Sequence, residues 1–181
     1  MRRELYSVST TDYALVTSAF TLLGFEPALE LDEAELQSRF QRLRTQFHPD
    51  RFSQGSALER RLAVQRAADI NAAYATLSAP ILRAQHYFAL HGVSLDEAQT
   101  LQDAAFLNQQ MELREALDDA RDPLSREALR NQVNLLWSQI WRDLLSADFE
   151  DVQRIQRGLQ RLQFLQRFLQ QMDQGHAHNP G

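Results

Sequence analysis

The chain has 181 residues, of which 44% are hydrophobic and 24% charged, and its formal net charge is −5. This length suits one domain or two small ones, and the acidic balance argues against a nucleic-acid partner. Without cysteine there is no disulfide framework and no thiolate metal site, which favours a reducing, cytoplasmic location. No apolar run approaches the roughly 20 residues that span a bilayer, so no membrane partner is expected.

The N-terminal half has helical periodicity throughout. After an extension of unknown use, 1–12, the pattern predicts a short helix over Tyr13–Leu23. Asp32 is the predicted N-cap of a second helix, with Glu35 in the capping-box position. Steps of four, three and four residues form an apolar stripe on that helix: Leu36, Phe40, Leu43 and Phe47. Pro49 ends the helix, because the residue before a proline is pushed out of the α region.

A third helix is predicted from about Ser56, and a bracing helix follows from Pro80 to Gly92. The apolar positions of the third helix have helical spacing throughout: Leu58, Leu62, Ala63, Ala67, Ile70, Tyr74 and Leu77. The stretch 93–101 is predicted to be a linker, so the N-terminal domain covers 13–92.

The C-terminal half is predicted to form a three-helix bundle over 102–172, followed by a disordered tail, 173–181. Its helices are expected at Asp103–Ala120, Ser125–Leu145 and Phe149–Met172. Short connections between consecutive helices favour antiparallel neighbours. Trp137 and Trp141 are assigned to the bundle core. The predicted fold class is all-α, with a helical hairpin in the first domain and a three-helix bundle in the second.

The tripeptide His48-Pro49-Asp50 lies where the second helix stops. It is a proline stop, part of a catalytic or metal site, or a surface that another protein recognises. A site built on His48 and Asp50, such as that of a metal-dependent hydrolase, lacks partners elsewhere in the sequence. There is no nucleophile motif, Gly-rich phosphate loop or H-E-x-x-H motif. We therefore expect neither an enzyme nor catalytic residues.

Residues 36–66 contain seven arginines and two acidic residues, a local charge of +5 in an acidic chain. Three of the arginines avoid the apolar stripe of the second helix and are expected to point outward: Arg39, Arg42 and Arg44. A solvated helix face is the ordinary explanation of such charges. The local excess instead favours a docking surface for an acidic partner.

The order of these features resembles that of a J-domain. FHPDRF and INAAYATL are similar to the J-domain loop and to its third helix. From about Phe20 to Gln171 the chain resembles the HscB-type co-chaperones of iron–sulfur cluster assembly. The sequence segments that carry this wider resemblance are TLLGFEP, INAAYATLSAPILRAQHYFALHG, DAAFLNQQMELREALDD and LQRLQFLQRF.

The resemblance implies that His48, Pro49 and Asp50 dock on an ATPase chaperone of the HscA/DnaK type and stimulate its ATP hydrolysis. The accompanying electrostatic contacts would be Arg39, Arg42, Arg44 and Arg51. No cofactor is implied for the bacterial members of the family.

The resemblance also implies that the C-terminal bundle binds the scaffold protein IscU through an exposed apolar patch. Its residues would be Leu107, Met111 and Phe164, and Asn108 stands where the family often has an apolar residue. The expected function is to deliver this scaffold to the chaperone. A J-domain co-chaperone with a different client is the alternative.

Overall fold

The structure, a computed structural model, describes residues 18–93 and 104–174. In these residues all regular structure is helical, and the chain divides into two compact units between Val93 and Ser94. The predicted all-α fold is confirmed. Most of the predicted linker and tail and the whole N-terminal extension lie outside the described residues. None of the described helices is long and apolar enough to cross a membrane.

The described part of the N-terminal unit, 18–93, contains four α-helices and one 3₁₀ turn. They are α1 (Ala19–Leu23), α2 (Glu33–Gln46), the 3₁₀ turn (Pro49–Phe52), α3 (Ala57–Ser78) and α4 (Pro80–Leu90). Local chemistry sets their ends. Asp32 accepts a hydrogen bond from the Glu35 N–H and starts α2, and Ser56 forms a reciprocal capping box with Glu59 at the start of α3. Gly24 ends α1 with a positive φ of 76°.

The core of this unit lies between α1, α2 and α3. Leu36 and Phe40 of the α2 stripe are buried in it, whereas Leu43 and Phe47 pack at its edge. The third helix is confirmed from its Ser56 cap onward. Its first turns are open to solvent, because Leu58 and Leu62 are 66% and 59% exposed. The 3₁₀ turn packs against α3 but has no buried residue of its own.

Two polar side chains of α4 form hydrogen bonds to the backbone of other elements in this unit. The buried Arg83 guanidinium donates to the carbonyl oxygens of Leu29, at 2.8 Å, and Leu77, at 2.5 Å. The Ala19 N–H donates to His86 Nε2 at 3.1 Å, and burial lowers the pKa of this imidazole below its ordinary value. These bonds satisfy backbone groups at the start of α1 and the end of α3.

The C-terminal unit contains α5 (Ala104–Asp119), α6 (Pro123–Leu145) and α7 (Val152–Gln174). Its buried core cluster draws on all three helices: Phe106, Leu113, Leu129, Val133, Phe164, Leu165, Phe168 and Met172. Close packing brings Leu144 against Gly158, where an added Cβ would lie 2.7 Å from the leucine Cδ2. The small glycine therefore sets how closely α6 and α7 approach.

The two tryptophans of α6 are only half-buried, which corrects their assignment to the core. Trp137 packs against the edge of the core cluster, and Trp141 has intermediate exposure. Indole rings are large and are seldom fully enclosed. The smaller Leu129 and Val133 are the α6 residues buried in that cluster.

Candidate functional site

The His48-Pro49-Asp50 tripeptide forms an ordered turn at the end of α2. Helix α2 ends at Gln46, and His48 has extended backbone angles, φ −64° and ψ 129°. Pro49 then begins the 3₁₀ turn, in which the Arg51 N–H donates to the His48 carbonyl at 3.0 Å. The proline thus ends one helix and starts the next turn, because its fixed φ suits the first helical position.

The turn presents an imidazole and a carboxylate together on the surface. His48 Nδ1 accepts a hydrogen bond from the Asp50 N–H at 3.4 Å and lies 3.5 Å from Asp50 Oδ2. In the neutral ring, this acceptor role leaves the proton on Nε2, which is then a donor. The side chains of His48 and Asp50 are 50% and 89% exposed. A partner can therefore reach both groups.

Nothing in the described residues completes a catalytic or metal site around this pair. Among residues 18–93 and 104–174 there is no group of three or more His, Cys, Asp and Glu side chains that could hold a metal ion. His86, the next histidine along the chain, accepts a hydrogen bond from the backbone N–H of Ala19 in α1. The arrangement is suited to recognition by another molecule.

Arg39 does not point freely outward, which corrects the prediction for this residue. Its guanidinium donates to the Gly24 carbonyl and to the Glu35 carboxylate, and it stacks 4.1 Å from the centre of the Phe25 ring. The side chain is 27% exposed. Helix α2 turns this position towards the loop that follows α1, so Arg39 holds that loop in place.

The other predicted docking arginines are exposed: Arg42, Arg44 and Arg51. At 100° per residue, Arg42 and Arg44 lie roughly 160° apart around α2. The predicted single arginine face is therefore two separate flanks. Arg44 and Arg51 line a cleft of about 350 Å³ with His48, whereas Arg42 does not.

The remaining residues of this cleft, Gln41 and Thr45, were missed by the sequence prediction. Gln41, Arg44 and Thr45 precede His48 by seven, four and three residues. These spacings place the three side chains on the face of α2 that leads to His48. Counting helical steps back from the tripeptide could have found them. Apolar periodicity could not, because it describes the adjacent face.

In the C-terminal unit, α5 exposes two of the three predicted scaffold-binding residues. Leu107 is 55% exposed and Met111 is 58% exposed, and their spacing of four places them on one face. Asn108, beside Leu107, is exposed as well. We call Leu107 and Met111 the α5 patch.

The prediction that Phe164 belongs to an exposed patch is wrong, because its side chain is only 8% exposed. Its ring meets Phe106 of α5 edge to face, with centroids 5.5 Å apart, and stacks on Phe168 at 5.9 Å. Phe164 therefore supports α5 from inside the core. Helical spacing relates residues to a shared face but does not show which face is covered.

Relatives of this chain are co-chaperones. The family described as the HSCB C-terminal oligomerisation domain matches residues 102–173. The HscB homologue of Aeromonas hydrophila is 40% identical over 163 residues, which are 85% of this chain and 93% of the relative. This chain belongs to the HscB family. The homologue of Shewanella oneidensis is 43% identical over 115 residues, 63% of this chain and 66% of that relative.

Solved HscB structures have the same fold. Chaperone HscB from Vibrio cholerae matches with a TM-score of 0.79 at 33% identity, covering 88% of this chain and 98% of that one. The human co-chaperone HscB matches with a TM-score of 0.81 at 26% identity, covering 88% and 82%. The N-terminal J-domain and the C-terminal helical domain are thus confirmed. In the HscB fold, the tripeptide turn joins α2 and α3 of the J-domain.

Proposed function

We propose that this chain stimulates the ATPase of an HscA/DnaK-type chaperone and delivers an IscU-type scaffold protein to it during iron–sulfur cluster assembly or transfer. The observation that supports this most directly is the ordered, exposed His48-Pro49-Asp50 turn of a J-domain in an HscB-family chain. ATP is hydrolysed in the partner. In this proposal the chain is not itself an enzyme and uses no cofactor.

The turn acts by offering the chaperone a hydrogen-bond donor and an acceptor in a fixed arrangement. The donor is the Nε2–H of His48, and the acceptor is the carboxylate of Asp50. Two backbone hydrogen bonds hold the turn. The Arg51 N–H donates to the His48 carbonyl, and the Ser53 N–H donates to the Asp50 carbonyl. A ligand shifts a conformational equilibrium only by binding one state more tightly. These groups would therefore bind the hydrolysing state of the chaperone better than its resting state.

The exposed arginines would guide the encounter with the chaperone. Arg42, Arg44 and Arg51 are solvent-accessible cations in a chain of net charge −5. Charges of this kind raise association rates and orient partners more than they add affinity. The association should accordingly weaken as ionic strength rises.

The α5 patch would bind the scaffold. Two long apolar side chains that are more than half exposed remove apolar surface from water when a partner covers them. Because the patch and the tripeptide turn belong to one chain, the scaffold is held near the chaperone at a raised effective concentration. Capture of the scaffold is thereby linked to ATP hydrolysis.

The decisive experiment measures ATP turnover by an HscA-type chaperone with an IscU-type scaffold present. Wild type, His48→Gln and His91→Gln are compared, since His91 is an exposed histidine of the same unit outside the turn. Wild type and His91→Gln should stimulate alike, whereas His48→Gln should lose stimulation by about tenfold or more. Scaffold binding should be unchanged in all three.

Equal stimulation by His48→Gln and wild type would refute the role of the turn. A hydrolytic activity of the purified chain alone, lost in His48→Gln, would instead favour an enzyme. Circular dichroism checks that His48→Gln is folded. We expect it to be, because the His48 side chain is half-exposed and is not part of the core cluster.

The client is tested by direct binding of the scaffold to the full chain. Leu107→Ser combined with Met111→Ser should weaken binding about tenfold or more, since the apolar contact is lost. Leu124→Ser is the matched control, because Leu124 is 76% exposed on α6. Chaperone stimulation without any scaffold binding by wild type would favour a J-domain protein with a different client.

A further inference from the structure

A cavity of about 820 Å³ lies between the three helices of the C-terminal unit. Three arginines of α7 and three glutamines line it, together with the apolar side chains of Leu136 and Ile140 on α6. Its volume is in the range of cavities that hold small molecules. Leu107 and Met111 of the α5 patch do not line it, so the cavity is separate from the surface proposed for the scaffold.

The arginines of the cavity share one face of α7. Arg154, Arg157 and Arg161 follow one another at spacings of three and four residues, which place successive side chains on the same side of a helix. Helix α7 has four arginines, and Asp173 is its single acidic residue. This basic face occurs in a chain whose net charge is −5.

Within the part of the chain that the structure describes, Asp143 is the one acidic side chain that lines the cavity. Its Oδ2 accepts a hydrogen bond from Arg154 Nε at 3.1 Å, and its Oδ1 accepts a second from Arg154 Nη2. This hydrogen bonding lowers the pKa of the Asp143 carboxyl below its ordinary value, so the group is ionised at neutral pH. Three arginines and one carboxylate give the lining a formal charge of +2.

Arg157 is the arginine of this lining that is open to a ligand. In residues 18–93 and 104–174 its exposed side chain forms no hydrogen bond and no ion pair. Arg161 is half-buried, and its guanidinium lies 5.2 Å from the centre of the Phe106 ring, which holds this second cation at the cavity wall. The glutamines of the lining add amide donors: Gln109, Gln139 and Gln153.

We propose that this cavity binds a small organic phosphate, with the phosphate group on Arg157 and Arg161 and the organic part against Leu136 and Ile140. The inference does not depend on the function proposed above. An ionised phosphate monoester carries about −1.5 to −2 charges and three acceptor oxygens. This charge matches the +2 of the lining better than a single carboxylate does. Arginine binds phosphate through two parallel hydrogen bonds, and the apolar side chains leave room for the rest of the molecule.

The first test measures binding of small molecules to the full chain by isothermal titration calorimetry. The probes are AMP and glycerol phosphate, with adenosine and inorganic phosphate as controls. At least one organic phosphate should bind about tenfold or more tightly than either control, because the charged and the apolar contacts both contribute. Preference for AMP would place an aromatic base against α6, and preference for glycerol phosphate a short polyol. Either supports the proposal.

The second test removes one cation from the cavity. Arg157→Gln should weaken binding of the preferred phosphate about tenfold or more, since a charge-assisted hydrogen bond is lost. Arg167→Gln is the matched control, because Arg167 is an exposed arginine of α7 outside the lining. Its affinity should equal that of wild type. Circular dichroism checks that both variants are folded.

The third test adds a negative charge to the lining. Gln139→Glu puts a carboxylate in the cavity wall and should weaken phosphate binding about tenfold. Gln132→Glu puts the same charge on α6 outside the lining and should change binding no more than about twofold. Both glutamines are exposed, so the fold should tolerate either change.

Three results overturn the proposal. The first is that neither organic phosphate binds more tightly than inorganic phosphate. The second is that Arg157→Gln binds as well as Arg167→Gln, or that the two glutamate variants lose affinity equally, because the ligand then binds elsewhere. The third is that succinate binds as tightly as the preferred phosphate, which would assign the cavity to carboxylates.

Discussion

The same division between side chains held within the fold and side chains open to solvent occurs in both units, among charged residues in one and apolar residues in the other. In the N-terminal unit, Arg39 is bonded inside the fold whereas Arg44 on the same helix is open to solvent. In the C-terminal unit, Phe164 is buried whereas Leu107 is exposed. In neither unit does the residue type reveal whether a side chain is held within the fold or open to solvent. The groups packed against the side chain decide it: the Gly24 carbonyl and Phe25 ring for Arg39, and the Phe106 and Phe168 rings for Phe164.

The largest expected effect tests this division in the C-terminal unit. Phe164→Ala should lower the free energy of unfolding by about 3–5 kcal/mol, because it leaves a cavity between Phe106 and Phe168. Leu107→Ala with Met111→Ala should change it by less than about 1 kcal/mol. Denaturant unfolding measures both. A stability loss in the double variant as large as that of Phe164→Ala would mean that the α5 patch is part of the core.

A smaller loss is expected where α6 and α7 touch. Gly158→Ala forces its new Cβ against Leu144 Cδ2 and should cost about 1–3 kcal/mol. Arg157→Ala is the adjacent control on an exposed position and should cost less than about 0.5 kcal/mol. Thermal unfolding of the two variants gives the comparison. Equal melting temperatures would show that the helices separate easily at this point.

The same division is tested in the N-terminal unit by two arginines of α2. Arg39→Gln should lower the free energy of unfolding by about 1–2 kcal/mol, since it removes the bonds to Gly24 and Glu35. Arg42→Gln should leave stability within about 0.5 kcal/mol but slow association with the chaperone at low salt. Denaturant unfolding and association kinetics measure these. Equal stabilities would place both arginines outside the fold.

The smallest effect concerns His86 and depends on pH. Its pKa is lowered by burial, so the folded state binds the proton less readily than the unfolded state. The contribution of His86 to the free energy of unfolding is complete above its unfolded pKa of about 6.5. It is lost as the pH falls through the lower pKa of the folded state. In an NMR titration, the ring signals of His86 should therefore shift at a lower pH than those of a histidine in an unfolded peptide. His86→Gln should be less stable than wild type by about 1 kcal/mol at pH 7.5, with the gap narrowing towards pH 5.

Local chemistry made most of the helix ends predictable. The Asp32 and Ser56 caps and the proline at the start of α4 act through groups within a few residues of each other. Which helical face is covered depends on elements distant in sequence. For that reason helical spacing does not show that Leu58 and Leu62 are exposed, and the resemblance of the sequence around Phe164 does not show that this residue is buried.

The candidate site divides in the same way. The tripeptide and its exposure could be predicted, because a proline between two polar residues after an amphipathic helix leaves few conformations. The cleft could not, because it forms only where the 3₁₀ turn brings Arg51 beside Arg44. Its two arginines are seven residues apart and belong to different elements.

The 3₁₀ turn at Pro49–Phe52 also has a consequence for the cost of binding. Fixing the backbone of one flexible residue costs about 1–2 kcal/mol in conformational entropy. A disordered four-residue loop would incur that cost each time a chaperone docked. Here the fold has already ordered the segment, through the turn's own hydrogen bonds and Pro49. A contact surface that is ordered before binding avoids this cost, which suits the proposed role of the turn in engaging a chaperone.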